Sequence, residues 1–239
     1  MQKEGGLALE KTKKINIKAI YIVISVIVCS VLMSLVDGIL QPDYFFKSII
    51  KVCLFLLVPM GYFLINRSEL PDFQSLFRSE KRGVIIAIGL GVLVYGFIVG
   101  GYFVLRGFID FSSIALGLDE RTGINADNLL YVALYMSFVN SFLEEFLFRG
   151  FAFISLKKQT SRGFAYIFSA LMFAIYHSGV TAGWFNIGIF LLTLLGLVIA
   201  GFVFSFLDEE SGNIYTSWIV HMFANFGTNT AGFIILGVI

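Results

Sequence analysis

The chain predicts an all-α, polytopic membrane helix bundle of about seven transmembrane helices, with an eighth left open. Three observations carry that expectation. Of 239 residues, 58% are hydrophobic and 14% charged, with a mean hydropathy of +0.88, more apolar surface than the core of a water-soluble domain of this size can bury. The apolar residues fall in runs of about 20, the length that crosses a bilayer as a helix. One such run carries Glu144, Glu145 and Arg149, although each charge near a bilayer centre costs roughly 2.5–3.5 kcal/mol. A chain keeps such groups for a task or pairs them for structure.

The expected spans, in order, are roughly Ile17–Leu40, Phe45–Ile65, Gly83–Leu105, Leu129–Leu156, Gly163–His177, Ile187–Leu207 and Ile214–Ile239. The fifth is the shortest. The last holds either one long helix or a helix to about Thr228 with an apolar tail. No internal repeat or low-complexity tract divides the chain, so residues 1–16 read as a cytoplasmic tail and 17–239 as one transmembrane domain with a core at about 129–225.

Lysine and arginine bias sets the expected orientation. The tail with Lys18, Arg67–Arg82 and Lys157–Arg162 together hold twelve such residues, against Lys47, Lys51, Arg106 and Arg121 on the opposite side. This places the N-terminus in the cytoplasm of an integral membrane protein, and the Ile-, Phe- and Lys-rich composition suggests a bacterial plasma membrane. Within Glu69–Arg82, Asp72 can cap a short helix with Phe73, Leu76 and Phe77 on one face, an interfacial helix or a solvated connector. The loop Phe108–Asn128 carries no assignable chemistry. A net charge of +1 gives no reason to expect nucleic acid; the expected partners are the lipid bilayer and a membrane-bound peptide or protein substrate. Cys29 and Cys53 lie in apolar runs and predict neither a disulfide framework nor a zinc knuckle. The polar first eighteen residues do not resemble a cleavable signal peptide.

Both histidines, His177 and His221, fall in or at the edge of a span. Phe173 precedes His177, and Asn225 follows His221, by one helical turn. At about 1.5 Å per residue, Glu144 lies roughly 18 Å, His177 about 21 Å, and His221 and Asn225 about 12 and 18 Å from the cytoplasmic ends of their spans. The four groups therefore share one depth, within about 10 Å, on helices that run in opposite directions. They are expected to meet in a buried site.

Arg149 follows Glu145 by four residues, the order and spacing of a helical ion pair. Glu144 points about 100° away and has no cation at i+3 or i+4. Glu145 and Arg149 are thus the expected supporting pair, and Glu144 the free carboxylate. Two uses fit these atoms. Glu144 with His177 can hold and deprotonate a water while His221 and Asn225 donate to an oxyanion. Equally, Glu144, His177 and His221 are the three-ligand set of many catalytic Zn2+ sites. Spacing does not decide between them, although an asparagine one turn from His221 is a good amide donor and a poor zinc ligand.

Three motifs, E-E-F-L-F-R at Glu144–Arg149, F-A-I-Y-H at Phe173–His177 and H-M-F-A-N at His221–Asn225, stand in order in separate apolar spans. Together they resemble the CPBP intramembrane proteases, the CAAX protease and bacteriocin-processing (Abi) family, over about Leu129 to Asn225. That resemblance implies an endopeptidase acting within the membrane, on prenylated CAAX proteins or on bacteriocin or pheromone precursors. It implies Glu144 and His177 as the water-activating pair and His221 and Asn225 as oxyanion donors. Phe173, Glu145 and Arg149 take supporting places. The family is often labelled metalloprotease, and a metal-free glutamate mechanism has also been argued for it. Two alternatives stand beside it: a non-catalytic immunity or membrane interaction protein that keeps the fold, and a transporter or proton relay using the buried charges. The latter predicts broken helices or repeats across two halves, which the sequence does not display. H-E-x-x-H, G-x-S-x-G and G-x-G-D signatures of other membrane proteases do not occur.

Overall fold

The computed structural model describes residues 16–67, 81–109, 111, 128–181 and 186–239. The expected interfacial helix at Glu69–Arg82 lies almost wholly outside the described residues, as do most of the loop 108–128 and the tail 1–15. The described residues form seven long helical segments and no strand. They are α1 (Ile17–Leu40), α2 (Tyr44–Ile65), α3 (Lys81–Leu105), α4 (residues 129–159), α5 (Arg162–Thr181), α6 (Ile187–Ser211) and α7 (Tyr215–Ile235).

Each segment stands where an apolar run predicts a span. Four of them, α1, α2, α3 and α6, are long and apolar enough to cross a membrane. The other three carry the polar groups: Glu144, Glu145 and Arg149 on α4, Tyr176 and His177 on α5, and His221, Asn225 and Asn229 on α7. Length and apolarity alone therefore confirm four of the expected seven or eight crossings among the described residues, because the helices that build the interior trade apolar residues for polar ones.

Local chemistry sets the helix ends. Asn16 caps α1 by accepting from the amides of Lys18 and Ala19, and Asp43 caps α2 through those of Phe45 and Phe46. The fifth helix runs four residues beyond His177. Ser178 Oγ and Thr181 Oγ1 donate back to the carbonyls of Ile175 and His177, so small polar residues continue a helix that hydropathy alone would stop. The seventh is unbroken past Thr228. It ends at Gly237, whose positive φ of 68° allows Val238 N to reach Phe233 O, a left-handed cap.

α4 is the central helix. It contacts α1, α2, α5, α6 and α7, and from Leu143 to Phe153 only Gly150 is more than slightly exposed. π-helical turns interrupt it at Met136–Asn140 and Phe146–Ser155, the irregularity often found beside functional sites. Close approaches use small residues. A Cβ on Gly179 of α5 would lie 2.7 Å from the Ser34 carbonyl oxygen of α1, and one on Gly201 of α6 would lie 2.8 Å from the Ala170 Cα of α5. At one end of the bundle Asn16 Nδ2 donates to Gln159, and Lys157, Arg162 and Tyr166 all converge on Glu209. The start of α1, the end of α4, the start of α5 and the end of α6 therefore lie together, as alternating helix directions require. Outward faces of α1, α3 and α6 present large apolar side chains such as Ile24, Phe97 and Leu192, suited to lipid.

Candidate active site

The site is built around the Glu144 carboxylate, 2% exposed on the central helix. Its two oxygens have different surroundings. Oε1 accepts from Lys51 Nζ at 2.5 Å, Asn140 Nδ2 at 2.8 Å and Tyr176 OH at 3.3 Å. Oε2 has no hydrogen-bond partner among the described residues. It faces the Nε2 atoms of His177 and His221 at 3.5 and 3.6 Å.

Both imidazoles are oriented through their other nitrogen. His177 Nδ1 lies 2.8 Å from the Phe173 carbonyl oxygen, which can only accept, so Nδ1 is the donor and the neutral ring turns an unprotonated Nε2 towards Glu144. His221 Nδ1 lies 2.7 Å from Glu145 Oε1 and donates to that carboxylate in the same way. One carboxylate oxygen and two imidazole nitrogens thus converge, each fixed by a partner behind it. That is the arrangement in which a histidine's tautomer is set from outside the reacting centre.

Glu145 and Arg149 form the expected pair, 3.3 Å apart and fully buried. The guanidinium also lies over the faces of Phe173 and Phe204, at 4.1 and 4.9 Å from the ring centres. Glu145 is not confined to that pair, however, since its other oxygen holds His221. The expected separation of a free Glu144 from a purely supporting Glu145 is therefore incomplete, and His221 touches both. Phe173 packs edge-on against both imidazoles, at 4.5 and 5.9 Å between centres.

Among the described residues Asn225 makes no hydrogen bond to the carboxylate. Its Nδ2 donates to the Met136 carbonyl at 2.8 Å, inside the first π-helical turn of α4, and Asn229 donates to Ala133 O and Ser137 Oγ one turn later. These amides stitch α7 to α4, adding to the backbone bonds that the Met136 and Ala133 carbonyls already accept from Ser141 N and Met136 N.

Three site residues are additional to those expected: Lys51, Asn140 and Tyr176. Lys51 reads in sequence as an outer-side charge near the start of the second span. It lies instead inside α2, 4% exposed, with Lys47 also buried and 3.2 Å from Asp37. Two lysines four residues apart in an otherwise apolar run were the available signal, since such charges are tolerated in a span when paired.

The donor set has the chemistry of a zinc site, two imidazole Nε2 atoms and a carboxylate. Among the described residues, however, no three His, Cys, Asp or Glu side chains are arranged so that they could hold a metal ion. The cation bonded to Glu144 is the ammonium of Lys51. The chemistry below is derived from the side chains alone.

Residues 126–227, which contain Glu144, His177, His221 and Asn225, match the family model described as Type II CAAX prenyl endopeptidase Rce1-like, which is the CPBP family. No curated protein and no solved structure gives a significant match.

Proposed function

We propose that this protein is an intramembrane endopeptidase of the CAAX-protease type that hydrolyses a peptide bond with a water activated by Glu144 and His177. The observation that carries this reading is the asymmetry of Glu144, one oxygen held by three donors and the other turned, unbonded, towards two oriented imidazoles. A general base needs an oriented lone pair within hydrogen-bond reach of its proton. A water between Glu144 Oε2 and His177 Nε2 gives up a proton to the carboxylate as its oxygen attacks the scissile carbonyl. The C–N bond then breaks, and the proton held on Glu144 passes to the leaving amine. Donors aimed at the developing oxyanion supply the remaining stabilisation. We assign that role to His221, whose Nε2 lies 3.6 Å from Glu144 Oε2. Asn225 contributes its second amide proton, the first being bonded to Met136 O.

The substrate class we propose is a membrane-associated or prenylated protein or peptide, including bacteriocin or pheromone precursors. We also place the N-terminus in the cytoplasm. Once Lys47 and Lys51 are counted as buried, the charge bias across the membrane becomes twelve to two, four opposite-side residues less those two.

The test is cleavage in reconstituted vesicles of a prenylated CAAX peptide and of an unprenylated peptide with an apolar leader, wild type beside Glu144→Gln and His177→Ala. Cleavage of one peptide, lost in both variants while they accumulate in the membrane, supports the reading. Wild-type turnover in either variant refutes it. No cleavage by the wild type of any peptide, including precursors encoded beside its gene, favours an immunity or interaction role.

A further inference from the structure

We propose that Lys51, acting with Asn140 and Tyr176, is a positioning residue that fixes Glu144 through Oε1 and thereby selects Oε2 as the catalytic base, an inference that rests on the protease reading above. An ammonium has three protons and no acceptor, and Lys51 Nζ has three oxygen partners. They are Asn140 Oδ1, Glu144 Oε1 at 2.5 Å and Tyr176 OH at 2.5 Å. Two of those partners then act as donors themselves. The Asn140 amide and the Tyr176 hydroxyl each bond the same Glu144 oxygen. The result is a closed network in which every member reaches Oε1 and none reaches Oε2.

The network draws on three helices. Lys51 comes from α2, 93 positions before Glu144; Asn140 lies one turn before it on α4; Tyr176 comes from α5, adjacent to His177. Apolar rings close the ammonium off, with Nζ 5.2 Å from the centre of Phe55 and 4.8 Å from that of Tyr176. A mere counter-charge in the bilayer interior needs no such exclusive placement on one oxygen. Carboxylates rotate about the last side-chain bond, and a base free to exchange its oxygens would spend part of its time with neither aligned to the water. Pinning one oxygen removes that freedom before substrate arrives, which is where orientation contributes to rate. Because Tyr176 is also the neighbour of His177, the same network ties the base to the imidazole that shares its water.

The experiment is steady-state cleavage by the full-length protein in vesicles, with Lys51→Met, Asn140→Leu and Tyr176→Phe compared with wild type and Glu144→Gln. Lys51→Met is expected to lower kcat by about 10²-fold with KM little changed, since the residue touches no substrate. Tyr176→Phe and Asn140→Leu each remove one donor from Oε1 and are expected to lower kcat by about tenfold. Adding Lys51→Met to Glu144→Gln is expected to cost nothing further, because a residue acting through Glu144 has nothing left to position. A folded Lys51→Met with kcat within about threefold of wild type, or a defect confined to KM, overturns the proposal. Should Lys51→Met fail to accumulate, Tyr176→Phe decides, and a wild-type kcat there overturns it equally. Either result leaves the protease reading intact so long as Glu144→Gln is inactive. If Glu144→Gln cleaves like wild type, it is the protease reading that fails.

Discussion

Arg149 offers the sharpest separation of stability from chemistry. Its side chain is fully buried, 3.3 Å from Glu145 and over the faces of Phe173 and Phe204. Removing one member of a buried pair costs about 3–5 kcal/mol, because the partner is left as an uncompensated charge. Here Glu145 keeps a bond to His221, which argues for the lower end, about 3 kcal/mol. Loss of the two ring contacts adds about 1–2 kcal/mol in a desolvated setting. Arg149→Ala should therefore cost about 4–5 kcal/mol. At about 2–4 °C per kcal/mol for a chain of this size, Tm should fall by about 8–20 °C, read by thermal denaturation of the detergent-solubilised protein alongside its abundance in membranes. The double variant Glu145→Gln, Arg149→Met should recover part of that loss, because neither charge is then stranded. A single Arg149→Ala variant that melts within about 2 °C of wild type yet has lost turnover would refute the reasoning and move Arg149 into the reacting centre.

If Asn225 donates to the oxyanion, Asn225→Ala should lower kcat by about 10²–10³-fold with KM nearly constant; a fall in melting temperature with kcat preserved would reduce it to the tether with Met136. Gly179→Ala places a methyl 2.7 Å from the Ser34 carbonyl and should destabilise by about 1–3 kcal/mol. It should also slow turnover, since the strain falls two residues from His177, and unchanged melting would show that α1 and α5 can part at no cost. Extended chelation of purified protein should leave cleavage intact. Stoichiometric zinc in the wild type, absent from His177→Ala and His221→Ala, would overturn the metal-free derivation.

Much of this architecture was legible in the sequence, for physical reasons that also explain what was not. Apolar runs located all seven helical segments because desolvation of the backbone leaves a helix as the economical conformation in lipid. Depth along those helices foresaw that Glu144, His177 and His221 would meet, since rise per residue is nearly constant. Azimuth was less legible. Taken as a regular α-helix, α4 turns Glu144 and Glu145 about 100° apart and sends only one to the site; in the structure both reach His221, which offers one nitrogen to each. Asn225 shares a helix face with His221 as expected, but its amide nitrogen goes to Met136 O, and no sequence pattern announces which carbonyl of a neighbouring helix a side-chain amide will meet. Lys51 was missed because its partner is 93 residues away on another helix. A lysine near the start of a span reads as a solvent charge until a buried carboxylate is known to face it.

The two glutamates are thus neighbours in sequence that divide between two cations and rejoin at one histidine. Glu144 is paired with Lys51 from another helix, Glu145 with Arg149 from its own, and His221 lies between the carboxylates. Either glutamate alone would leave an interior cation unpaired, which is costly in an apolar bundle. With both present, each cation is matched, and one carboxylate oxygen is left over for chemistry. The same pairing requires α4 to be covered by α2 and α7. Its charges are compensated from α2, from within α4 and from α7, and turning the face towards α2 or α7 to lipid would break one of those pairs. The sequence E-E-x-x-x-R serves on this view as a device for holding one reactive carboxylate inside a membrane protein without stranding a charge. In the proposed mechanism the base is the glutamate whose counter-ion comes from elsewhere in the chain.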